Sequence, residues 1–203
     1  MRRSELLRAL EGVPPFARPV AALEQVITPS EAAATLLATA DRLDGLAGRS
    51  VLDLGCGTGR LAIGAALLGA APVRAIDVDG EAVAAARAAA GALGVDVGFE
   101  VGDVSSADGP ADLVVMNPPF GAQSKHADRP FWDRAFDLAQ RTVYAFALAD
   151  SRTFIARRAV ARNAAVLEVD SVPWALPRTF AHHVRRRVVL DVDLWAIRTG
   201  TDR

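Results

Sequence analysis

Short apolar runs alternate with alanine-rich segments along most of this chain. Runs such as "VLDLG" and "LVVMN" have the length and composition of buried strands, and a segment such as "EAVAAARAAAGALG" has those of a helix. A helix that follows a strand returns the chain to the edge where that strand began, so successive strands lie parallel. The alternation therefore predicts an α/β fold, with a doubly wound, mostly parallel sheet and helices on both faces.

The last two strands should depart from this parallel arrangement. Residues 171–187, which precede the last strand, contain two prolines and leave no room for a crossover helix. We therefore expect a C-terminal antiparallel hairpin. The seven predicted strands are residues 49–55, 73–77, 97–103, 111–117, 143–148, 164–170 and 187–197.

A helix start is visible ahead of the sheet, in the sequence "TPSE". Thr28 has the position of an N-cap, Pro29 that of the first helical residue, and Glu31 that of the residue that closes a capping box. This pattern predicts a helix that begins after Thr28 and runs to about Leu43.

Size and composition favour one domain. A chain of 203 residues is long enough for one sizeable core. We expect an N-terminal helical segment (1–45) and a core (46–203) that carries an insertion at 171–187. No apolar run reaches the roughly eighteen residues that a membrane helix needs, and "MRRSELLRALEG" lacks the apolar stretch of a secretory signal. We therefore expect no membrane contact.

The number of cysteines indicates in which cellular compartment the protein works and whether it can bind zinc. Cys56 is the only cysteine of the chain, which excludes an internal disulfide and a cysteine-rich zinc site. A single thiol fits a reducing compartment, so we expect a cytoplasmic protein, and we predict no metal site.

Charge is distributed unevenly although the net charge is only −1. Residues 1–150 carry 13 basic and 19 acidic residues, whereas residues 151–203 carry 10 basic and 5 acidic residues. A basic C-terminal region is compatible with a polyanionic substrate. A solvated surface strand or turn would explain the same pattern.

A glycine-rich loop follows the first predicted strand. Gly55, Gly57 and Gly59 allow a sharp turn and a close approach to a ligand, and the helix that follows offers free backbone N–H groups. Asp77 ends the second strand, where a carboxylate can accept both hydroxyls of a ribose, and Asp103 follows the third. The neighbouring residues predicted to complete this nucleoside site are Val78 and Val104.

The spacing of this loop indicates which nucleoside ligand it binds. The glycines read G-x-G-x-G rather than the G-x-G-x-x-G of dinucleotide sites, and no phosphate-binding Lys-Ser or Lys-Thr follows. Asp53 at the strand end would repel a pyrophosphate and attract a cation. S-adenosylmethionine, a nucleoside with sulfonium and ammonium groups, fits best, with an NAD-binding oxidoreductase as the alternative. The run "DLGCGTG" closely resembles the first motif of class I S-adenosylmethionine-dependent methyltransferases, which implies their Rossmann-like sheet.

A second motif, "NPPF", ends the fourth predicted strand. The prolines Pro118 and Pro119 remove two N–H donors and leave carbonyl oxygens free. The Asn117 side-chain oxygen and the Pro118 carbonyl can accept both hydrogens of an amino group on an aromatic ring, and Phe120 can stack on that ring. The motif resembles the signature of amino-group methyltransferases, which act on adenine, cytosine, guanine N2 or glutamine, and it does not choose among them.

A longer resemblance narrows that choice. "LEQVITPSEAAATLLATA", "VLDLGCGTGRLAIGAALLGA", "AIDVDGEAVAAAR", "VVMNPPFG", "ADRPF" and "LPRTFAHHVRRRVVLDVDLW" follow the order and approximate spacing of the archaeal and eukaryotic methyltransferase-like protein 5 family. The resemblance implies methylation of adenine N6 in small-subunit ribosomal RNA, and a small zinc-ribbon activator protein as partner. It also implies that Gln25 and Thr28 border the cofactor. The sequence departs from the family at Val26 and Ala147, where tyrosine and histidine are common.

Cations and aromatic rings in the C-terminal segment suit a bound nucleotide. Lys125, in the loop after the motif, would add a phosphate contact. The alternatives to methylation of adenine N6 in RNA are methylation of guanine N2, of adenine in DNA or of a protein glutamine, and a cofactor-binding scaffold without activity. The residues predicted to hold the substrate in the C-terminal segment are Arg178, Phe180, His183, Arg185 and Arg186, with Arg187 completing the basic run.

Overall fold

The computed structural model describes residues 1–121, 123–175 and 189–200. Within these ranges the strands are β1 (Val51–Leu54), β2 (Val73–Asp77), β3 (Gly98–Val101), β4 (Ala111–Met116), β5 (Ala139–Leu148), β6 (Ala165–Ala175) and β7 (Val189–Arg198). The α-helices are α1 (Arg3–Glu11), α2 (Ser30–Asp44), α3 (Arg60–Leu67), α4 (Gly80–Leu93), α5 (Arg129–Leu138) and α6 (Arg152–Ala161).

The strands form one sheet in the order β3-β2-β1-β4-β5-β7-β6. The pairs β3–β2, β2–β1, β1–β4 and β4–β5 are parallel. Strand β7 is antiparallel to both of its neighbours, β5 and β6. The predicted seven-stranded, mostly parallel sheet with a C-terminal antiparallel hairpin is therefore confirmed. The strand order reverses between β1 and β4, and parallel sheets bind ligands at such a point.

Helices cover both faces of the sheet. On one face, buried side chains of α1 to α4 pack on the sheet in one core, which includes Leu10, Leu37 and Ile63. On the other face, α5 and α6 contribute Trp132 and Ile155 to a second core. The two cores fix the strand ends between them, so residues that follow the strands have a rigid support.

Two strands are longer than the sequence predicts. Strand β6 continues through residues 171–175, which we expected to begin the insertion, because Val172 pairs with Val192 and Trp174 is fully buried. A proline is tolerated there because β6 is the outermost strand. Strand β5 begins at Ala139, directly after α5, where Ala139 pairs with Ala111.

The predicted cap of α2 is wrong. Helix α2 begins at Ser30, its N-cap is Pro29, and no side chain caps it. The Thr28 hydroxyl accepts a hydrogen bond from Asn117 instead. In the ranges given above, none of the helices is both long enough and apolar enough to cross a membrane.

Candidate active site

A cleft of about 240 Å³ opens where β1, β2 and β4 end. It is lined by the loop after β1, by residues that follow β2, β3 and β4, and by N-terminal residues between Phe16 and Thr28. Both predicted motifs therefore reach the same cleft, the glycine loop through Gly55 and Gly57 and the Asn-Pro-Pro-Phe turn through Asn117 and Pro119.

The glycine loop is fixed by the carboxylate at the end of β2. Asp77 Oδ2 accepts the Gly57 N–H at 2.7 Å, and Asp77 Oδ1 accepts the Asp79 N–H at 2.9 Å. Gly57 has a φ of +53°, and a Cβ there would lie 2.7 Å from the Phe16 ring. Left-handed backbone and a close aromatic neighbour both require glycine at this position.

Two carboxyl groups, the buried one of Asp53 and the half-buried one of Asp77, line the cleft. Asp53 in β1 is 1% exposed; its Oδ2 accepts the Ala62 N–H at 3.0 Å, and its Oδ1 has no hydrogen-bond partner among the described residues. Burial, with a smaller contribution from the Asp77 charge, raises the pKa of Asp53 to about 8. Burial also raises the pKa of Asp77. A cationic ligand would stabilise the charged form of both groups.

An arginine holds the N-terminal part of the cleft in place. We call residues 13–28 the N-terminal strap. The Arg60 guanidinium at the start of α3 is largely buried, and it donates to the Thr28 carbonyl at 2.6 Å and to the Val13 carbonyl at 2.9 Å. Both ends of the strap are thus tied to the helix that follows the glycine loop.

Gln25 links the strap to the cofactor side of the cleft. Its Nε2 donates to Asp79 Oδ2 at 2.6 Å, and its Oε1 accepts the Val20 N–H at 2.7 Å. Asp79 also caps α4 through its other oxygen, which accepts the Glu81 N–H. Gln25 lines the cleft, and its amide fixes the strap against the start of α4.

Asn117, directly after β4, presents a free acceptor. Its Nδ2 donates to Thr28 Oγ1 at 3.0 Å, and its buried Oδ1 has no hydrogen-bond partner among the described residues. The hydrogen bond from Nδ2 to Thr28 fixes the orientation of the amide and leaves the oxygen available to a ligand. Buried acceptors in proteins are normally satisfied, so this one indicates a site for an N–H donor.

Phe120 borders a second, smaller cleft on the other side of the same turn. Its ring packs edge-on against Trp174 at a centroid distance of 5.9 Å, and Trp174 packs against Phe146 at 5.0 Å. Three aromatic residues line the second cleft, together with prolines, other apolar residues and the polar residues Asp128 and Ser151. Its lining residues are Pro118, Pro119, Phe120, Asp128, Trp132, Phe146, Ala147, Leu148 and Ser151.

Most of the residues predicted to bind the cofactor line the main cleft. Gly59 is outside this lining: it ends the loop with a φ of +87°, and its missing Cβ faces Ala86 and Phe99. Lys125 is exposed in the loop that follows the motif. The residues that the structure brings together are Gln25, Thr28, Asp53, Gly55, Gly57, Asp77, Val78, Asp103, Val104, Asn117 and Pro119.

The predicted substrate residues of the C-terminal segment lie outside the described residues. They are Arg178, Phe180, His183, Arg185 and Arg186, together with Arg187. Their predicted contacts with RNA stay a prediction. In the part of the chain that the structure describes, no group of three or more potential ligand side chains is arranged for a metal.

Several residues of the site were not found from the sequence. Phe16, Glu24 and Phe131 line the main cleft, and Arg60 supports it. An isolated phenylalanine or arginine carries no periodic signal, and its role depends on contacts with distant segments. Glu24, next to Gln25, had a weak signal because it stands inside the run "LEQ" that carries the family resemblance.

Comparisons with known proteins agree with this geometry. Residues 30–143 match the family model "Methyltransferase small domain". The rRNA N(6)-adenosine-methyltransferase Mettl5 of Drosophila melanogaster is 30% identical, with 100% of this chain and 99% of the relative covered. MJ0284 of Methanocaldococcus jannaschii, an uncharacterized protein, is 32% identical over 97% of this chain and 94% of its own. The crystal structure of PH1948 from Pyrococcus horikoshii, described as a candidate RNA methyltransferase, has a TM-score of 0.91 at 37% identity, with 99% of each chain covered.

Fold, cleft and family model together define a class I S-adenosylmethionine-dependent methyltransferase. The cleft fits this cofactor, because Asp53 has a buried carboxyl oxygen without a hydrogen-bond partner among the described residues, and such an oxygen suits a positively charged group. The chain belongs to the METTL5 family. The family resemblance and the choice of cofactor are thereby confirmed.

The contact between Thr28 and Asn117 can be tested directly. Thr28→Val keeps the volume of the side chain but removes the oxygen that accepts the Asn117 Nδ2 hydrogen. We expect kcat to fall about tenfold, since a lost hydrogen bond costs about 1 kcal/mol or more. Thr28→Ser keeps the hydroxyl and should stay near the wild-type kcat. Equal kcat in both variants and the wild type, measured at saturating cofactor, would contradict an orienting role for Thr28.

Proposed function

We propose that this protein methylates the N6 amine of adenine in RNA, and specifically in small-subunit ribosomal RNA. The observation that carries the proposal is the buried Oδ1 of Asn117 after β4, which has no hydrogen-bond partner in the described part of the chain and lies at a cleft that suits S-adenosylmethionine. The activity named for the Drosophila relative, which matches along the whole chain, supports adenine and ribosomal RNA as substrate.

In this proposal the cleft holds the cofactor through groups that follow three strands. Asp77 and Asp103 would accept hydrogen bonds from ribose hydroxyls or base donors, the Gly55–Gly57 loop would allow close approach, and Asp53 would attract the positive charge. Asp103 keeps its carboxylate in place by accepting the Ser105 N–H at 2.9 Å. S-adenosylmethionine, when bound, supplies a methyl group activated by a sulfonium.

The chain's own contribution to the chemistry is to position the amine. Asn117 Oδ1 and the Pro118 carbonyl would accept the two N6 hydrogens and aim the nitrogen lone pair toward the cofactor. No strong base is needed, because the nitrogen becomes acidic once it has gained the methyl group. Asn117 Oδ1 would accept a hydrogen bond from the methylated N–H group until its proton passes to water.

The second cleft is the place that we assign to the base. It adjoins Pro118 and Pro119 and has aromatic walls, but its volume of about 10 Å³ is too small for a purine ring, so the cleft would have to widen when the base binds. An adenine inside a duplex cannot reach such a pocket, so the target nucleotide would be unpaired or flipped out. Lys125, exposed just beyond the turn, would contact its phosphate.

A partner protein and a compartment complete the proposal. We infer a small zinc-ribbon activator as partner and a cytoplasmic location, on the basis of the family resemblance and the single cysteine. Binding of that activator is tested by co-expression and co-purification with this chain.

The experiment is methyl transfer from labelled S-adenosylmethionine to ribosomal RNA and subunits from a strain without this gene. After nucleoside digestion, mass spectrometry should find N6-methyladenosine, and separate small- and large-subunit samples should show which subunit is modified. The Asn117→Ala variant is the matched inactive control. Label found only in N2-methylguanosine, in DNA or in protein glutamine would overturn the proposal and identify the rival substrate.

A further inference from the structure

Glu24 occupies an unusual backbone position in the N-terminal strap. It follows the short 3₁₀ turn Ala21–Leu23 and has left-handed dihedral angles, with φ +50° and ψ +39°. Such angles are uncommon for a residue with a side chain and occur where the surroundings impose them. They turn the chain so that the carboxylate of Glu24 reaches a segment 97 positions away.

That carboxylate binds backbone N–H groups of the loop that follows the Asn-Pro-Pro-Phe turn. Glu24 Oε2 accepts the Gly121 N–H at 2.9 Å, and Oε1 accepts the Gln123 N–H at 2.7 Å and the Ser124 N–H at 3.5 Å. Hydrogen bonds from backbone N–H to a charged carboxylate are stronger than neutral ones. Both oxygens are thus used to hold one loop in one conformation.

The same short stretch of strap also reaches the two other parts of the site. Gln25 donates to Asp79 at the start of α4, and Thr28 accepts from Asn117. Within five residues, therefore, the strap contacts the cofactor side, the catalytic asparagine and the loop after the catalytic turn. Arg60 anchors this stretch through the Thr28 carbonyl.

We propose that Glu24 is a positioning residue for methyl transfer, which fixes the Asn-Pro-Pro-Phe turn by clamping the loop at Gly121 and Gln123. The inference rests on the proposed function, because it assigns Glu24 a role in the same reaction. The clamp holds Phe120 from its C-terminal side while β4 holds Asn117 from the other. It also fixes the start of the loop that presents Lys125.

Loss of the clamp should impair the chemical step more than cofactor binding. Glu24 also borders the main cleft, but both of its carboxylate oxygens bind the loop that follows Phe120, whereas the glycine loop and Asp77 are held by other contacts. A displacement of about 1 Å in a catalytic group can cost about 100-fold in rate. Glu24→Ala should therefore lower kcat by about 10- to 100-fold, with a cofactor Kd within about threefold of the wild type.

The test compares Glu24→Ala, Glu24→Gln and, as a matched control, Glu31→Gln. Glu31 is exposed and forms an ion pair with Arg3 at the surface. The Gln variant of Glu24 keeps one acceptor oxygen, so its kcat should lie between those of the Ala variant and the wild type. Glu31→Gln should have the wild-type kcat. The measurements are kcat and KM with ribosomal RNA, cofactor Kd by calorimetry, and the unfolding midpoint.

Amide hydrogen exchange supplies a readout independent of turnover. The Gly121 and Gln123 N–H groups should exchange slowly in the wild type and faster in Glu24→Ala, whereas the Gly57 N–H, held by Asp77, should not change. An active wild type with an equally active Glu24→Ala would overturn the positioning role alone. So would parallel losses of kcat, cofactor affinity and unfolding midpoint, which indicate a merely structural role. A wild type that transfers no methyl to ribosomal RNA would overturn the proposed function instead.

Discussion

Asn117→Ala should lower kcat by at least about 100- to 1,000-fold, the range found when a preorganised polar group is removed from an active site. The reason is that Asn117 Oδ1, which is buried and has no hydrogen-bond partner within residues 1–121, 123–175 and 189–200, is the side-chain acceptor after β4. Cofactor affinity should stay within a few-fold, because the carboxylates and glycines of the cleft are untouched. Single-turnover kinetics and calorimetry separate the two effects.

Asn117→Asp is the companion variant. It keeps an acceptor oxygen but loses the Nδ2 hydrogen that Thr28 accepts, so it should retain more activity than the alanine variant. A strong loss of cofactor binding in Asn117→Ala would mean that the amide contacts the cofactor rather than the amine.

Asp53→Asn should stabilise the ligand-free protein, and more so at high pH. In the folded state the pKa of Asp53 is about 8, against an ordinary value of 3.8. The unfolded chain therefore releases this proton at lower pH, and the free energy of unfolding of the wild type falls as pH rises from about 4 to about 8. The upper bound of this loss is about 6 kcal/mol, at about 1.36 kcal/mol per pKa unit.

Asparagine does not titrate and can still accept the Ala62 N–H. The free energy of unfolding of the variant therefore lacks the fall that Asp53 causes in the wild type. Urea unfolding at pH 5 and pH 8.5 should therefore give a stability difference between variant and wild type that is larger at pH 8.5. The pKa of Asp77 is raised in both proteins, so its titration affects the difference in stability between them less than that of Asp53 does. An equal difference at the two pH values would contradict a buried, proton-binding Asp53.

Above pH 8, where the Asp53 carboxylate of the wild type is charged, the same variant should bind the cofactor at least about tenfold more weakly, because a charged partner is replaced by a neutral one. The control ligand is 5′-methylthioadenosine, a neutral nucleoside that lacks both the sulfonium and the ammonium group. Its affinity should be nearly the same for wild type and variant. A similar loss for both ligands would indicate a distorted cleft instead of a missing charge.

The order of strands and helices could be predicted from the sequence because each element carries its own pattern. Apolar runs and alanine-rich segments predicted all seven strands and the reversed pairing near the C-terminus. Boundaries were less accurate. Strand β6 extends to Ala175, because pairing with β7 and burial of Trp174 compensate for a proline that the local pattern treats as a break.

The site was predictable where motif residues follow strand ends. The glycine loop, Asp77 and Asn117 meet at one cleft because parallel strands end at one edge. The N-terminal side of the site was not predictable in this way. Thr28 has the sequence context of a helix cap, yet its hydroxyl accepts from Asn117, 89 positions along the chain. A local sequence pattern contains no information on whether a side chain will bond a neighbour in sequence or a distant residue.

The sequence by itself determined the fold class, the cofactor and the type of acceptor group, since each depends on residues close together in the chain. Only the tertiary structure decided how these parts are held. Glu24, Arg60 and Thr28 act through contacts with residues 32 to 100 positions away, which form when the strap packs across the ends of the strands. A carboxylate, a guanidinium or a hydroxyl can hydrogen-bond many groups of the chain, and the packing of the folded protein determines which of them lies within reach.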